Sequence, residues 1–332
     1  MQAVILGAPQ GTRFHFGNGS ARAESDSNAL ASVSEYLHSD TLFGALVNAW
    51  ALAIPESVDR FIQVCKEGAF KVSSAYYCVS YQDKMVYFLP KPVSLNLVSF
   101  NEPKRLKKIK FVSQGVWDQG VPPEQWFDED KCTLLQNGTI VALRSEIDIP
   151  LELFSLETSP KVRARNVADR KDSFYYQTDL FLSGGEDYEV SWYFIMDNHL
   201  PDELQADLIR ALDVLVQLGI GGERSSGCGG LSSYTIRDFS PTLTSDVYSS
   251  ISLVAPRQDE DTSHSLYQLI KRGGRYVGDG GSLPVLQMLL EGAIFDRRIE
   301  GTIVSLHADP PMLRYGMGLY LPVHPNYIND LL

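Results

Sequence analysis

Two helix-periodic stretches, each set between strand-like segments, and a glycine-rich loop directly after the second predict an α+β fold. The length, 332 residues, suggests two units. Residues 2–6 read as a short strand. Residues 9–34 are rich in Gly, Ser, Asn and Ala and lack periodicity, as a loop does. The first helix spans 40–54, with Leu42, Phe43, Leu46, Val47 and Trp50 at helical spacing. Ser39 suits its N-cap, and Asp40 suits the positive end of the helix dipole. Residues 56–66 continue as a short helix. Residues 72–81 and 85–89 form a hairpin that turns at Gln82, Asp83 and Lys84.

Residues 90–186 are less regular and read as a large insertion or several short strands. A strand follows at 188–195, then the second strong helix at 201–218. Pro201 suits its first position, Asp202 and Glu203 its first turn, and Gly219 the place just past its end. Leu204, Leu208, Leu212 and Leu215 give the buried stripe, and 231–237 is extended. If the hairpin supplies one strand, the order is strand–helix–strand–strand–helix–strand. That is the ferredoxin-like plan, shared by RNA-recognition modules whose sheet faces or loops hold single strands. After Pro241 the pattern restarts: a strand at 248–254, a helix at 265–271, and short strands near 286–295, 302–307 and 318–321. The expectation is two ferredoxin-like folds. The first covers 1–242 with an insertion at about 90–186; the second, over 243–332, is a smaller, degenerate copy.

Composition limits the function. Four isolated cysteines form no C-x-x-C pair, so neither a disulfide framework nor a zinc site is expected. No apolar run approaches a membrane span, and residues 1–9 lack a basic leader, so the cytoplasm is the expected location. A formal charge of −12 argues against general nucleic-acid affinity, which rests on neutralising phosphates. Basic residues are nonetheless clustered: Lys104, Arg105, Lys107, Lys108 and Lys110; Lys161, Arg163, Arg165, Arg170 and Lys171; and Lys271, Arg272 and Arg275. Each cluster alone fits a solvated face. Together, on an acidic body, they suit a protein that binds one RNA in one groove.

Residues 219–230 read G-I-G-G-E-R-S-S-G-C-G-G. Loops so poor in side chains commonly cradle a phosphate, although a long linker is the plainer reading. A P-loop is excluded because Cys228 stands where its lysine belongs. Both common phosphate loops also run from strand to helix, whereas this one runs from helix to strand.

The stretch H-S-D-T-L-F-G-A-L at 38–46 closely resembles the first-helix signature of the RAMP superfamily of type III CRISPR effector complexes. Residues 219–230 resemble that superfamily's glycine-rich loop. L-P-K-P at 89–92, R-A-R-N-V-A-D-R at 163–170 and Arg314-Tyr315-Gly316 resemble further segments. The combination is similar to subunit four of Csm (type III-A) complexes. The resemblance implies a non-catalytic protein that caps the 5′ repeat tag of the CRISPR RNA. It also implies two protein partners, a large polymerase-like subunit and a neighbouring RAMP backbone subunit, and a thumb-like projection formed by the insertion.

The residues expected at RNA are therefore His38, Ser39, Lys91, Lys104, Lys107, Lys108, Arg163, Arg165, Arg170, Gly219, Gly221, Gly222, Arg224, Ser225, Ser226, Gly227 and Gly229. No cofactor, metal or catalytic residue is expected. Capping alone is the plainer reading of Ser39 and Asp40, and burial that of Tyr175 and Tyr176. The rival function is a metal-independent endoribonuclease acting on CRISPR repeats with His38 as base, though no second acid–base residue is placed beside it by sequence. The equivalent tag-capping subunit of a type III-B (Cmr) complex is a further reading.

Overall fold

The computed structural model describes residues 1–17, 29–97, 101–163, 173–275, 282–307 and 312–328. β1 (Gln2–Gly7) and the short β2 (Arg13–Phe14) precede α1 (Ser39–Ala53) and α2 (Val58–Lys66). The strand expected at 72–81 is interrupted. β3 (Phe70–Val72) and β4 (Tyr76–Tyr81) pair in turn with one later strand, and Ser73, Ser74 and Ala75 lie between them. β5 (Lys84–Pro90) completes the hairpin, and Tyr81 pairs with Lys84 across a two-residue turn. Gln82 and Asp83 there have φ of 47° and 61°, the left-handed pair that a type I′ turn requires.

The insertion contributes α3 (Pro103–Lys108), β6 (Phe111–Ser113), α4 (Gln114–Gln119), β7 (Cys132–Leu135) and β8 (Ile140–Leu143). It ends in a long hairpin, β9 (Phe154–Arg163) and β10 (Ser173–Leu182). β11 (Tyr188–Asn198), α5 (Asp202–Leu218) and β12 (Ser233–Asp238) follow. The large sheet runs β12-β1-β11-β4-β5-β6-β8-β7, with β3 also on β11, and only β6 and β8 are parallel. The insertion is thus divided: β6, β8 and β7 extend the sheet, while β9 and β10 join β2 in a separate one.

An antiparallel sheet with one open face alternates buried and exposed positions. β11 does not, being buried without a break from Val190 to Met196. Trp192 meets Phe14, Phe16 and Tyr77 on one side; Tyr193 meets Tyr76 and Tyr87 on the other. The centre of the sheet therefore offers no open face to a ligand.

The second unit contains β13 (Tyr248–Ser250), β14 (Ser265–Leu266), β15 (Leu269–Arg275), β16 (Ser282–Leu289), β17 (Ile294–Phe295), β18 (Gly301–His307), β19 (Met312–Met317) and β20 (Tyr320–Pro322). The helix expected at 265–271 is strand instead. Leu266, Leu269 and Ile270 have helical spacing, but Leu269 and Lys271 are exposed and Arg272 is buried, the two-residue alternation of a strand. Ile251, Ile303, Tyr315, Met317 and Leu319 enter the same core as α1 and the large sheet. The two units are packed into one body. Among the described residues, no helix is long and apolar enough to cross a membrane.

The N-terminus of α1 joins the units. His38, not Ser39, is the N-cap residue, and its side chain makes no capping bond. Ser39 Oγ accepts from the Leu253 N–H at 3.0 Å, and the Ser39 N–H donates to Ser74 Oγ at 2.8 Å. The Asp40 carboxylate receives Arg272 Nε and Nη2, both at 2.9 Å, and Arg314 Nη1 at 2.6 Å. Burial alone would raise the Asp40 carboxyl, but the two guanidiniums overcome it and hold the group well below the usual carboxylate range. Beside it, His38 Nδ1 donates to Glu291 at 2.9 Å, and Tyr36 and Ser74 donate to the same carboxylate. Tyr315 stacks on Phe43 at 4.5 Å and accepts from the Val72 N–H at 2.9 Å.

Asp40→Asn leaves two buried guanidiniums without their counter-charge and is expected to lower the unfolding free energy by about 3–5 kcal/mol at pH 7. The folded group titrates below its ordinary value of 3.8, so its contribution is complete above that value and is lost as pH falls through it. Urea unfolding should show the gap between native and variant protein narrowing by about 1 kcal/mol from pH 5 to pH 3. Coincident curves at pH 7 would refute this role of Asp40.

Candidate nucleic-acid interface

Residues 219–230 leave α5 at Gly219 and fold back on themselves. Ile220 donates to the Gly229 carbonyl at 2.9 Å, and Cys228 donates to the Glu223 carbonyl at 3.2 Å. The loop is fastened to the segment around β2: Gly229 N–H reaches the Arg13 carbonyl at 2.6 Å, and Gly222 N–H the His15 carbonyl at 2.8 Å. Gly229 has φ 79°, and a Cβ there would collide with the Ile220 carbonyl. A Cβ at Gly219, whose φ is 73°, would likewise collide with the Gly229 carbonyl. These glycines serve an internal approach of backbone to backbone. Gly221 likewise lies against Phe16 and His15. Gly222, Arg224, Ser225, Ser226 and Gly227 form the exposed rim.

Arg13 ties this rim to the β9–β10 hairpin. Its Nη2 donates to the Ser226 carbonyl at 2.8 Å, and its Nη1 lies 3.8 Å from Asp179. Asp179 also accepts from Gln177 Nε2 at 2.7 Å, and His15 Nδ1 donates to the Thr178 carbonyl at 2.9 Å. The loop, β2 and the base of the hairpin form one block, with Arg224 outward and making no ion pair among the described residues. His15 is buried here. Arg13 and Asp179 carried no motif; only their separation in sequence hid the pair.

The hairpin presents Val162, Phe174 and Tyr176 to solvent, and the latter two rings meet edge to face at 5.5 Å. Tyr176, expected to be buried, is 48% exposed because β10 leaves the body beyond Gln177. Arg163 ends β9; Arg165 and Arg170 lie outside the described residues.

The lysines separate into two environments. Lys104, Lys107 and Lys108 are exposed on α3, and Lys108 Nζ donates to the Asn137 carbonyl at 2.6 Å. Lys91 is buried and donates to the Leu106 carbonyl at 2.7 Å. Burial, then the neighbouring charge of Lys107, lowers it to about 8. His38 and Ser39 were expected at RNA. Their side chains instead face the interior between the units, 5% and 0% exposed, so they present nothing to a ligand at the surface. Among the described residues, no group of three or more His, Cys, Asp or Glu side chains is placed to hold a metal ion.

Residues 244–323 match the family described as the CRISPR Csm4 C-terminal domain. The whole chain superposes on a chain from the crystal structure of the Csm3–Csm4 subcomplex of the type III-A CRISPR-Cas interference complex. The TM-score is 0.70 at 20% identity, covering 98% of this chain and 100% of that one. It also superposes on a chain of the Csm1–Csm4 cassette in complex with AMPPNP, at TM-score 0.57 and 18% identity, with 97% of each chain covered. The cassette in complex with cA4 gives 0.57 at 17% identity and 98% of each. Curated proteins give no sequence match. Residues 244–323 thus resemble a Csm4 C-terminal domain, and the chain shares the fold of these Csm4 structures.

Gly229→Ala should destabilise the chain by more than the roughly 1–2 kcal/mol of a left-handed alanine, because the Ile220 carbonyl must also move. Gly222→Ala, at an exposed position without positive φ, should stay within about 0.5 kcal/mol of the native protein. Thermal unfolding of the pair checks this; equal losses would mean that the rim is as constrained as the closure.

Proposed function

We propose that this chain is a non-catalytic guide-holding subunit of a type III-A CRISPR-Cas interference complex in the cytoplasm, gripping the 5′ repeat tag of the guide RNA. In this reading it joins a large polymerase-like subunit to a neighbouring RAMP backbone subunit. The similar solved structures pair Csm4 with Csm1 and with Csm3, which supports the two protein partners. The first unit is read as ferredoxin-like: β12-β1-β11-β4 is that plan's strand order, with α1 and α5 as its helices. The second is read as its degenerate counterpart.

The observation that carries the RNA reading is the rim of the glycine loop. Gly222, Arg224, Ser225, Ser226 and Gly227 offer one cation and two hydroxyls on an exposed turn already fixed by its own hydrogen bonds. Such a turn contacts phosphate and sugar without further ordering. The endoribonuclease reading is disfavoured. A general base must come within hydrogen-bond reach of the proton it takes, and the ring nitrogens of His38 are directed at Glu291 and Ser34 in the interior.

Incubation of the purified chain with repeat RNA in EDTA is expected to leave the RNA intact; site-specific cleavage abolished by His38→Ala would restore the nuclease. Gly222→Ala and Arg224→Ala, assembled with the neighbouring subunits, should retain less 5′-tagged guide at unchanged melting temperature, with untagged RNA little affected. Normal retention in both variants would remove the rim from the RNA path. Replacing Lys104, Lys107 and Lys108 together by alanine should flatten the salt dependence, by roughly 0.7 in log–log slope for each phosphate no longer neutralised. An unaltered slope would make α3 a solvated face.

A further inference from the structure

A cleft of about 430 Å³ opens between α3 and the second unit, with Lys91 in its wall. Most of the charges there are matched. Lys110 Nζ lies 2.7 Å from both oxygens of Glu35. Glu291 is occupied by His38, Tyr36 and Ser74. Lys91 is different. It is 9% exposed, and its Nζ donates to the Leu106 carbonyl at 2.7 Å. No carboxylate among the described residues pairs with it, and the charge that bears on it is a second cation, Lys107.

Its placement is fixed. The Lys91 N–H donates to the Lys110 carbonyl at 2.9 Å, and the Val93 N–H donates to the Gly292 carbonyl at 2.8 Å. A Cβ at Gly292, whose φ is 86°, would collide with the Lys91 carbonyl. The backbone therefore keeps the amine at the cleft wall.

A buried ammonium beside another cation is costly in its charged form and gives up its proton readily. Lys91 is lowered to about 8, so at pH 7.5 about a quarter of it is the neutral amine, against about a thousandth of an exposed lysine. Desolvation next to a cationic group is also what makes a lysine amine nucleophilic. The surroundings select the electrophile. At 9% exposure the amine admits only a small reactant. Ile109, Phe111 and Leu290 make part of the cleft apolar, which suits an uncharged one. The Leu106 carbonyl already accepts from Nζ, which suits a planar product that keeps one N–H there. Lys107 favours a product ending in an anion, because a repulsion then becomes an ion pair. Carbon dioxide meets all four conditions.

We infer that Lys91 is a carbon dioxide site, at which the neutral amine adds to CO2 and the Lys107 ammonium holds the resulting carbamate, with Asn96 and Gln268 as further donors in the cleft wall. The amine lone pair forms a new N–C bond. One C–O π bond breaks, its electron pair becomes the carboxylate charge, and one amine proton leaves to water. The remaining N–H stays on the Leu106 carbonyl. The addition turns a cation into an anion and ties α3 to the segment that follows β5. The site stands whether or not the glycine-loop rim holds RNA.

The test uses the full chain under a fixed pressure of carbon-13-labelled CO2. Carbon-13 NMR reads the carbamate, and triethyloxonium traps it as an ester for mass mapping, which separates Lys91 from the Met1 α-amine. At pH 8 a carbamate resonance should appear that is absent from Lys91→Met and from Lys91→Arg, whose guanidinium stays protonated. The trapped ester at Lys91 should exceed those at the exposed Lys104 and Lys108 by about tenfold or more. From pH 8 to pH 6.5 its occupancy should fall by about tenfold or more, as Lys91 takes up its proton. Lys107→Met should reduce it about fivefold. Carbon dioxide should raise the melting temperature of the native chain and leave that of Lys91→Met unchanged. Should Lys91→Met not fold, the trapping ratio and the pH series on the native chain decide the matter. No carbamate at Lys91, or one no more abundant than at Lys104 and Lys108, would overturn the inference. Carbamate at Lys91 that is indifferent to Lys107→Met would overturn the ion pair that holds it.

Discussion

One buried carboxylate sets the relation between the two units. Asp40 stands in the first turn of α1, and two arginines from the second unit converge on it. The Asp40 and Arg272 side chains are almost wholly excluded from solvent. In that environment a charge without its partner is far more costly than at the surface, so the units adopt the one docking that unites all three. Arg272 Nη1 and Arg314 Nε find no hydrogen-bond partner among the described residues even so. A single carboxylate cannot satisfy two forks, and the site tolerates the shortfall for the sake of a fixed geometry.

Other features follow from that docking. With Arg314 on Asp40, Tyr315 is drawn beneath α1 against Phe43, and Gly316 leaves room for Ala255 to donate to its carbonyl at 3.0 Å. The three-residue signature at 314–316 therefore works as part of the joint. The interruption of the strand at Ser73 and Ser74 has the same cause: Ser74 leaves the ladder of β11 to meet Ser39, Glu291 and the Ile251 carbonyl. Glu291, brought in by the second unit, closes one wall of the lysine cleft.

The docking also leaves the centre of the large sheet without an open face. With β11 buried on both sides, the sheet cannot act as a stacking platform. Under the proposed function, RNA contacts are assigned to the edges of the body: the rim at Gly222 and Arg224, the exposed rings of the β9–β10 hairpin, and the lysines around α3. An acidic chain with local basic segments fits such edge binding, because only a few phosphates need be matched.

Much of the architecture was legible in the order of residues. Helices α1 and α5, the strand β11 and the turn at Gln82 and Asp83 are local events, decided by hydrophobic spacing and left-handed turn chemistry within a few residues. The glycine loop declared itself by composition, though not which of its glycines close the loop and which face outward. Residues 265–271 were misread as a helix because Leu266, Leu269 and Ile270 fit a helical spacing, and the pairing of β14 with β17 and of β15 with β16 decided for strand. Ser39 and His38 looked like a cap and a surface ligand because their partners, Leu253 and Glu291, are more than two hundred residues away. The sequence by itself determined the elements, the charge clusters and the candidate loop, since these depend on neighbours along the chain. Tertiary structure alone decided which polar groups are interior, because burial depends on what distant segments bring: Arg272 and Arg314 to Asp40, Glu291 to His38, and to Lys91 no carboxylate among the described residues.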